Sequence, residues 1–229
     1  MKRTPIYPLV FLLLLIHLSA TAQSNDDPTK KVISKFEITA GAGFLRGPTY
    51  YENRDNKIGY SFGGGITQFF SRSFELKARA LYELKGSKTE SRMGIGTKDG
   101  TFDYTNVITT DLHYFTLSLM PTFYLTPKKN IVLGAGGFYS FLKKVKLTEE
   151  RTDLSNNVTT VNHYSPGDLS GHNDAGVSAY GGYRFWLSKK TDLTVMLHYN
   201  KSLVDYDDGL NTWQRNNVIL LSATLGIFR

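Results

Sequence analysis

Short segments in which apolar and polar residues alternate one by one dominate this chain. The clearest is FELKARALYELK, from Phe74 to Lys85, where every second residue is apolar and nearly all the others are charged. Successive side chains of a β-strand point to opposite faces, so this segment predicts a strand with one apolar and one ionic face. Seven other segments alternate similarly, with milder polar faces. The eight predicted strands are residues 36–45, 58–69, 74–85, 113–125, 131–142, 175–187, 192–200 and 218–228.

The connections between these strands are alternately long and short. Transmembrane barrels have short periplasmic turns and long external loops, whereas a soluble sandwich has no reason to sort its loops in this way. A water-soluble barrel of the lipocalin kind, with its apolar face inside, is the strongest alternative. Loop lengths and aromatic residues near the strand ends favour an apolar face that meets lipid. We therefore predict an all-β, eight-stranded antiparallel up-and-down transmembrane β-barrel in the bacterial outer membrane.

The first 22 residues have the features of a secretory signal peptide. Lys2 and Arg3 give a positive start, residues 9–18 form an apolar core, and Ala20 and Ala22 form a small-residue cleavage site. The apolar core is too short to span a membrane comfortably, and no later run approaches the roughly 18 apolar residues of a transmembrane helix. We expect a cleaved signal peptide at 1–22, a flexible lead-in at 23–35 and the barrel at 36–229.

Composition argues against several classes of function. The chain has no cysteine, which excludes a disulfide framework and thiolate metal sites. Its formal charge of +7 is spread over turns, loops and one strand, and no nucleic-acid-binding motif is present, so we expect no nucleic-acid partner. We also expect no metal and no cofactor. Four polar loop residues match no metal-ligand spacing and are read as solvated: His163, Asp168, His172 and Asp174.

The polar faces of the strands point into the lumen of the predicted barrel. An eight-stranded barrel is just wide enough to be filled by side chains, and a charge buried alone is costly. We therefore expect a salt-bridged plug, with a narrow ion path as the alternative, and we expect that neutralising Glu83 lowers thermal stability. The predicted lumen cluster consists of Glu37, Glu75, Lys77, Arg79, Glu83, Lys85, Arg184 and His198.

His198 invites comparison with lipid A deacylases, which are eight-stranded outer-membrane barrels with an H-x-S pair. The serine position is occupied by Asn200, whose amide cannot attack an ester. His198 also has the lumen parity, whereas that chemistry must face lipid. The sequence therefore predicts no enzyme and no catalytic residue, and a lipid-modifying enzyme is the least favoured hypothesis.

Four segments that together span most of the mature chain share features with a known family. They are FSRSFELKARALYELKGSK, LHYFTLSLMPTFYL, IVLGAGGFYSFLKK and DAGVSAYGGYRFWLSKKTDLTVMLHYNKSL. The residues that match its strand motifs E-x-x-Y-x-x-K-G, G-x-Y-x-x-x-L and D-x-G, with slack in the first two, are Glu75, Tyr82, Lys85, Gly86, Gly137, Tyr139, Leu142, Asp174 and Gly176. The combination resembles the PorT-like outer-membrane β-barrel family of Bacteroidota-type bacteria, which implies the fold and no defined activity.

The last strand resembles the signal that the barrel-assembly machinery reads, a final strand ending in an aromatic residue. Phe228 serves this role, although Arg229 follows it and Phe228 has the inward parity. We further expect contact with outer-membrane lipid and lipopolysaccharide, and an unidentified protein partner at the long loops 86–111 and 143–173. The sequence thus favours a non-enzymatic, partner-binding or structural barrel, with a small outer-membrane pore as the alternative.

Overall fold

The computed structural model describes residues 34–46, 54–55, 57–71, 73–97, 100–126, 128–164, 173–204 and 217–229. They form ten strands. The strands are β1 (Ser34–Arg46), β2 (Arg54–Asp55), β3 (Lys57–Phe69), β4 (Phe74–Thr97), β5 (Gly100–Tyr124), β6 (Ile131–Asp153), β7 (Val158–Tyr164), β8 (Asp174–Ser188), β9 (Thr191–Ser202) and β10 (Asn217–Phe228). Across these residues we find no helix with the length and apolar character needed to cross a membrane. The predicted signal peptide lies outside the described residues.

Eight of the strands close into a ring. Their order around it is β4-β3-β1-β10-β9-β8-β6-β5, and β5 pairs back with β4. Every pairing is antiparallel, and the first and last strands are joined from Lys35 opposite Phe228 to Arg46 opposite Asn217. A closed ring satisfies the backbone hydrogen bonds of all its strands, which a sheet inside a membrane requires. The predicted eight-stranded antiparallel up-and-down barrel is confirmed.

The barrel is apolar outside and polar inside. On β1, Phe36 and Ile38 are 52% and 64% exposed. The residues of opposite parity, Lys35, Glu37 and Thr39, are at most 3% exposed. A water-soluble barrel buries its apolar face, so this arrangement excludes the lipocalin-like alternative. The same outward apolar face recurs on the other ring strands and forms the surface that meets lipid.

Short turns close one end of the barrel. They join β3 to β4, β5 to β6 and β8 to β9, and the start of β1 and the end of β10 lie at the same end. In the last of these turns, the backbone amide of Lys190 donates to the Ser188 hydroxyl at 3.1 Å. Short turns are periplasmic in outer-membrane barrels, so the opposite end is extracellular.

Two of the long loops expected at the extracellular end, 86–111 and 143–173, are largely strands in their described residues, and this expectation was wrong. β4 and β5 remain paired from Gly86 opposite Asp111 to Thr97 opposite Gly100. β6 continues to Asp153, and β7 returns beside it. Beyond the ring neither face of these strands is apolar throughout, so the apolar–polar alternation that reveals a membrane strand is lost. The β-branched and aromatic residues of the TFDYTNVITT segment were the remaining strand signal.

The boundary between lead-in and barrel also differs from the expectation. β1 begins at Ser34, so residues 34 and 35 belong to the barrel and not to a flexible segment. Ser34 and Lys35 pair with Gln68 and Thr67 of β3, and Lys35 also lies opposite Phe228 of β10. The Lys35 side chain is buried inside the ring, where carboxylates surround it, and this explains why a polar residue starts the strand.

Gly86 marks the level at which β4 leaves the membrane-spanning part of the barrel. Its φ is +156°, and a Cβ at this position would overlap the carbonyl oxygen of Thr110 on β5. Any side chain here would force the two strands apart. Glycine is therefore required for the close approach of β4 and β5 at this point.

We expect Gly86→Ala to lower the free energy of unfolding by about 1–3 kcal/mol, because the added methyl group overpacks the strand pair. Urea titration of protein folded in lipid vesicles would measure the change. Gly137→Ala is the matched control, since the nearest atom to its added Cβ is the Gly176 carbonyl oxygen at 3.7 Å. Equal stability of the two variants would contradict the close approach at Gly86.

Candidate functional site: the lumen charge network

Among the described residues, the lumen of the barrel contains ten buried ionic side chains, five of each sign. All eight residues of the predicted lumen cluster face inward and are at most 5% exposed. Seven of these eight are ionic, the exception being His198, and three further ionic residues lie beside them. The ten ionic residues are Lys35, Glu37, Glu75, Lys77, Arg79, Glu83, Lys85, Asp174, Arg184 and Asp192. The lumen is thus electrically balanced by its own side chains.

Six of these residues form a closed ring of alternating charges near the periplasmic end, which we call the charge ring. Around it, the N–O distances are 2.9 Å for Lys35–Glu37, 3.2 Å for Glu37–Lys77, 3.1 Å for Lys77–Glu75, 3.5 Å for Glu75–Arg184, 3.2 Å for Arg184–Asp192 and 3.2 Å for Asp192–Lys35. The side chains come from β1, β4, β8 and β9, so the charge ring crosses the lumen. Each charge has an opposite charge on both sides.

Glu37 is the carboxylate with the most cationic neighbours in this network. Besides Lys35 and Lys77, it accepts hydrogen bonds on Oε2 from Arg79 Nη2 at 3.1 Å and Arg79 Nε at 3.2 Å. Its two oxygens therefore serve three cations. The Arg79 and Lys77 cations also lie 5.9 Å from the centroid of the Tyr180 ring, whose face attracts positive charge.

Aromatic side chains cover the charge ring on its periplasmic side. Phe228 stacks with Phe69 at 5.8 Å and with Trp186 at 5.4 Å between ring centroids. Lys35 Nζ lies 5.5 Å from the Phe228 centroid. Arg184 donates a hydrogen bond to the Tyr124 hydroxyl and lies over its ring. Phe228 therefore packs against the floor of the lumen, as its inward parity predicts; its role as an assembly signal stays a prediction.

A second group of charges, the upper charge cluster, lies near the extracellular end. Lys85 Nζ is 3.2 Å from Glu83 and 3.4 Å from Asp174. The ammonium group is also 5.0 Å from the centroid of Tyr114 and 5.1 Å from that of Phe138. Ten positions separate Glu75 from Lys85 on β4, which is about 33 Å along a strand. The two charge groups thus lie at opposite ends of the lumen.

A cavity of about 20 Å³ separates the charge ring from the upper charge cluster. The side chains that line it include the polar residues Thr39, Ser61, Ser118, His198 and Ser222. A space of this size holds on the order of one water molecule, and the hydroxyls around it supply hydrogen-bond partners. The cavity is too small for any organic substrate.

His198 and Ser222 form a pair that superficially resembles a base and a nucleophile. His198 Nε2 lies 2.8 Å from Ser222 Oγ, inside the lumen. The charged groups that act on His198 are the cations Arg79 and Lys77, and no carboxylate among the described residues orients its ring. An acylation site needs such an orienting group and access for an ester. The described residues thus supply a hydrogen bond between two buried side chains and no orienting carboxylate.

The four loop residues considered as metal ligands are not brought together in the part of the chain that the structure describes. His163 lies on exposed β7 with Nδ1 3.3 Å from the Thr148 hydroxyl, and Asp174 belongs to the upper charge cluster. Asp168 and His172 lie outside the described residues. Among those described, no group of three or more His, Asp or Glu side chains has the arrangement of a metal site.

Three ionic members of the network were not included in the predicted cluster. Lys35 was assigned to the lead-in, Asp192 to a strand end, and Asp174 to a loop. Strand parity could have identified two of them. Asp174 points to the same face of β8 as Arg184, and Asp192 points to the same face of β9 as His198. Lys35 is in phase with Glu37 once β1 is extended by two residues. The ion pairs themselves depend on how the strands are arranged around the ring, so no single segment of the sequence predicts them.

Comparison with known proteins supports this architecture. Residues 21–208 match the family described as Outer membrane protein beta-barrel domain. The chain belongs to this family. A search of curated proteins finds no match. The family match and the closed ring with its outward apolar face place this outer membrane beta-barrel protein in the bacterial outer membrane.

Several solved outer-membrane barrels are similar to this family member, at low identity. Ail of Yersinia pestis has 10% identity and a TM-score of 0.39, over 87% of this chain and 99% of Ail. Neisserial surface protein A has 11% identity and a TM-score of 0.41, over 85% and 96%. Outer Membrane Protein W of E. coli has 15% identity and a TM-score of 0.40, over 86% and 98%.

We expect Glu37→Gln to destabilise the barrel by about 3–5 kcal/mol, because it leaves three buried cations short of one negative charge. Urea titration in lipid vesicles measures the loss. Glu90→Gln, an exposed position on the same sheet, is the matched control. Adding Arg79→Gln to Glu37→Gln should recover part of the stability, since it removes one uncompensated cation. Unchanged unfolding of Glu37→Gln would contradict the network.

Glu83→Gln should have a smaller effect, because Glu83 pairs with one cation, Lys85.

Proposed function

We propose that this outer-membrane barrel is a non-conducting, non-enzymatic anchor that holds a β-sheet above the membrane for a protein partner. The observation that carries the proposal is the continuation of β4, β5 and β6 beyond the ring, with β7 added at their side. The membrane-spanning part supplies a stable base, and the sheet supplies the surface that a partner contacts. The small-pore hypothesis remains the alternative that the next experiment tests.

The packing of the lumen supports a non-conducting barrel. The six side chains of the charge ring have no exposed surface, which supports a lumen that is closed at their level. At the other end, a small apolar cluster lies between the strands above the upper charge cluster. It consists of Leu112, Tyr114, Leu142 and Val145. An ion that crossed this lumen would have to separate several buried ion pairs. Little water would be available there to solvate the separated charges.

Purified protein inserted in a planar bilayer is expected to show no stable current steps, because ion pairs and apolar packing close the lumen. Insertion must be shown independently, by protection of the membrane strands from protease in the same lipid. Repeated steps from protein of proven fold would establish the pore instead. In that case Lys77→Gln, which removes a lumen cation, should shift the ion selectivity.

The sheet above the membrane supports a partner-binding function. Side-chain contacts order it: Asn106 donates to Glu149 at 3.0 Å, and the Arg151 guanidinium lies 3.8 Å from the Tyr104 ring centroid. The Tyr164 hydroxyl also donates to Glu149, at 3.2 Å. An ordered surface loses less conformational entropy on binding than a flexible loop does. The binding surface we propose is therefore a preformed sheet.

The mode of binding we propose is addition of a strand from the partner along β7. Within the described residues β7 pairs only with β6, so its other edge presents backbone donors and acceptors. All seven of its residues are exposed, and Val158, Val161 and Tyr164 are about half exposed. The strand has no proline or lysine, the residues that proteins use to block strand edges. An extended peptide segment suits such an edge.

A photo-cross-linking residue at Tyr164 in intact cells is expected to give one discrete adduct with another protein. Val161→Lys in the same chain should abolish the adduct, because a lysine on an edge strand opposes strand addition. Leu154→Lys is the matched control, since Leu154 is exposed in the turn of the same hairpin and not on its edge. Adducts that survive Val161→Lys, or that Leu154→Lys also removes, would contradict binding along β7.

The proposal also covers recognition by the assembly machinery and a narrower family assignment. We propose that the barrel-assembly machinery recognises β10 with its terminal Phe228, and that the chain is a PorT-like member from a Bacteroidota-type bacterium. The first is supported by the position of β10 at the seam with β1, and the second by the motif residues in the sequence. The absence of an enzyme function is supported by the enclosed setting of His198 and Ser222.

A further inference from the structure

Three lysines are grouped on the outward side of β6 where it leaves the membrane. Lys143, Lys144 and Lys146 are all exposed, whereas Leu142 and Val145 pack inside. The pairing of β5 with β6 shifts register at this point, between His113 and Tyr114. The shift leaves Lys143 without a partner on β5. A β-bulge re-aims side chains, and here two consecutive lysines reach the outside of the barrel.

The lysines lie at the level where lipid headgroups begin. The outward residues of β6 below them are apolar or small from Ile131 to Phe141, ten positions or about 33 Å along the strand. With a strand tilt of roughly 40°, this corresponds to about 25 Å of height, the thickness of the apolar band of outer-membrane barrels. Lys143 Nζ lies 5.9 Å from the Phe141 ring centroid, at the top of this band. The three ammonium groups therefore stand at the outer-leaflet boundary.

The three lysines lack carboxylate partners in the described part of the chain. No ion pair there includes any of them, and Asp111, which lies opposite Lys146 on β5, forms its ion pair with Lys57. The charged neighbours of His113, which lies opposite Lys144, are three lysines and one carboxylate: Lys57, Lys144, Lys146 and Asp111. The next outward carboxylate on β6, Glu150, is four positions beyond Lys146, about 13 Å along the strand. The cluster is thus a concentrated positive charge at a lipid surface.

We propose that Lys143, Lys144 and Lys146 form a binding site for the phosphate groups of lipid A in the outer leaflet. The outer leaflet is identified by the short periplasmic turns at the opposite end of the barrel. Ammonium groups at the headgroup level attract phosphate, and the aromatic side chains beneath them pack against acyl chains. Phe141 and Tyr139 supply that apolar floor on β6, and Phe115 supplies it on β5. This site is separate from the edge of β7 and does not depend on a protein partner.

The test is native mass spectrometry of the complete barrel in detergent, titrated with bisphosphoryl lipid A. The wild-type protein is expected to bind it far more tightly than K143Q/K144Q/K146Q does. Each basic residue near an anionic surface contributes about fivefold, so three contribute on the order of a hundredfold. Lys201→Gln is the matched control, because Lys201 is an exposed lysine near the same end of β9, and it should bind like the wild type.

Two further ligands separate lipid A phosphate from other interpretations. Lipid A stripped of phosphate should bind the wild type and the triple variant equally weakly, and inorganic phosphate alone should bind neither measurably. Equal affinity of wild type and triple variant for bisphosphoryl lipid A would overturn the site. Lysine-dependent binding of inorganic phosphate, with no gain from the acyl chains, would overturn lipid A as the occupant. Because the lysines are exposed, the triple variant should keep its folded, heat-modifiable gel mobility, which must be verified first.

Discussion

The requirement that a charge surrounded by lipid and protein must be neutralised underlies the structure of this barrel. The ionic side chains of the lumen are buried, and an unpaired ammonium or carboxylate there would be very unfavourable. The chain meets this requirement with five cations and five anions on inward-facing positions. Glu37 and its three cationic partners show how closely the charges are matched. The interior is therefore a packed core in which ion pairs lie beside apolar contacts such as those of Met120, Val132 and Met196.

Neutralisation also makes the strand register unambiguous. Because side chains alternate, a slip of one residue on β1 would turn Glu37 toward lipid and Ile38 into the lumen. Both changes are unfavourable. A carboxylate would enter hydrocarbon, and an apolar side chain in its place in the lumen would leave the cations without their partner. The apolar outer surface and the ionic inner surface thus specify the same register independently. Such agreement between constraints is what gives a sequence one well-defined structure.

Much of the ring was predictable from sequence because each membrane strand carries a complete local signal. Alternation located Glu75, Lys77 and Arg79 on one face. It predicted the strand ends within about two residues, except at the extracellular ends of β4, β5 and β6. Above the membrane the signal disappears, because no face of β4 to β7 is apolar throughout there. These strands were mistaken for loops. Pairing partners were also beyond the sequence. That Arg184 lies between Glu75 and Asp192 depends on how distant strands meet across the lumen.

The seam between β1 and β10 has a consequence for how the protein folds. Lys35 and Asp192 are 157 residues apart in the chain, and they meet only when the N-terminal and C-terminal parts come together. An open sheet lacks this contact, so that Lys35 keeps Glu37 as its partner and Asp192 keeps Arg184. Closure of the seam completes the charge ring, which couples the ion pairs to the pairing of β1 with β10. Contacts of such long sequence separation also form slowly. The Lys35–Asp192 ion pair is therefore a contact that only the completed barrel contains.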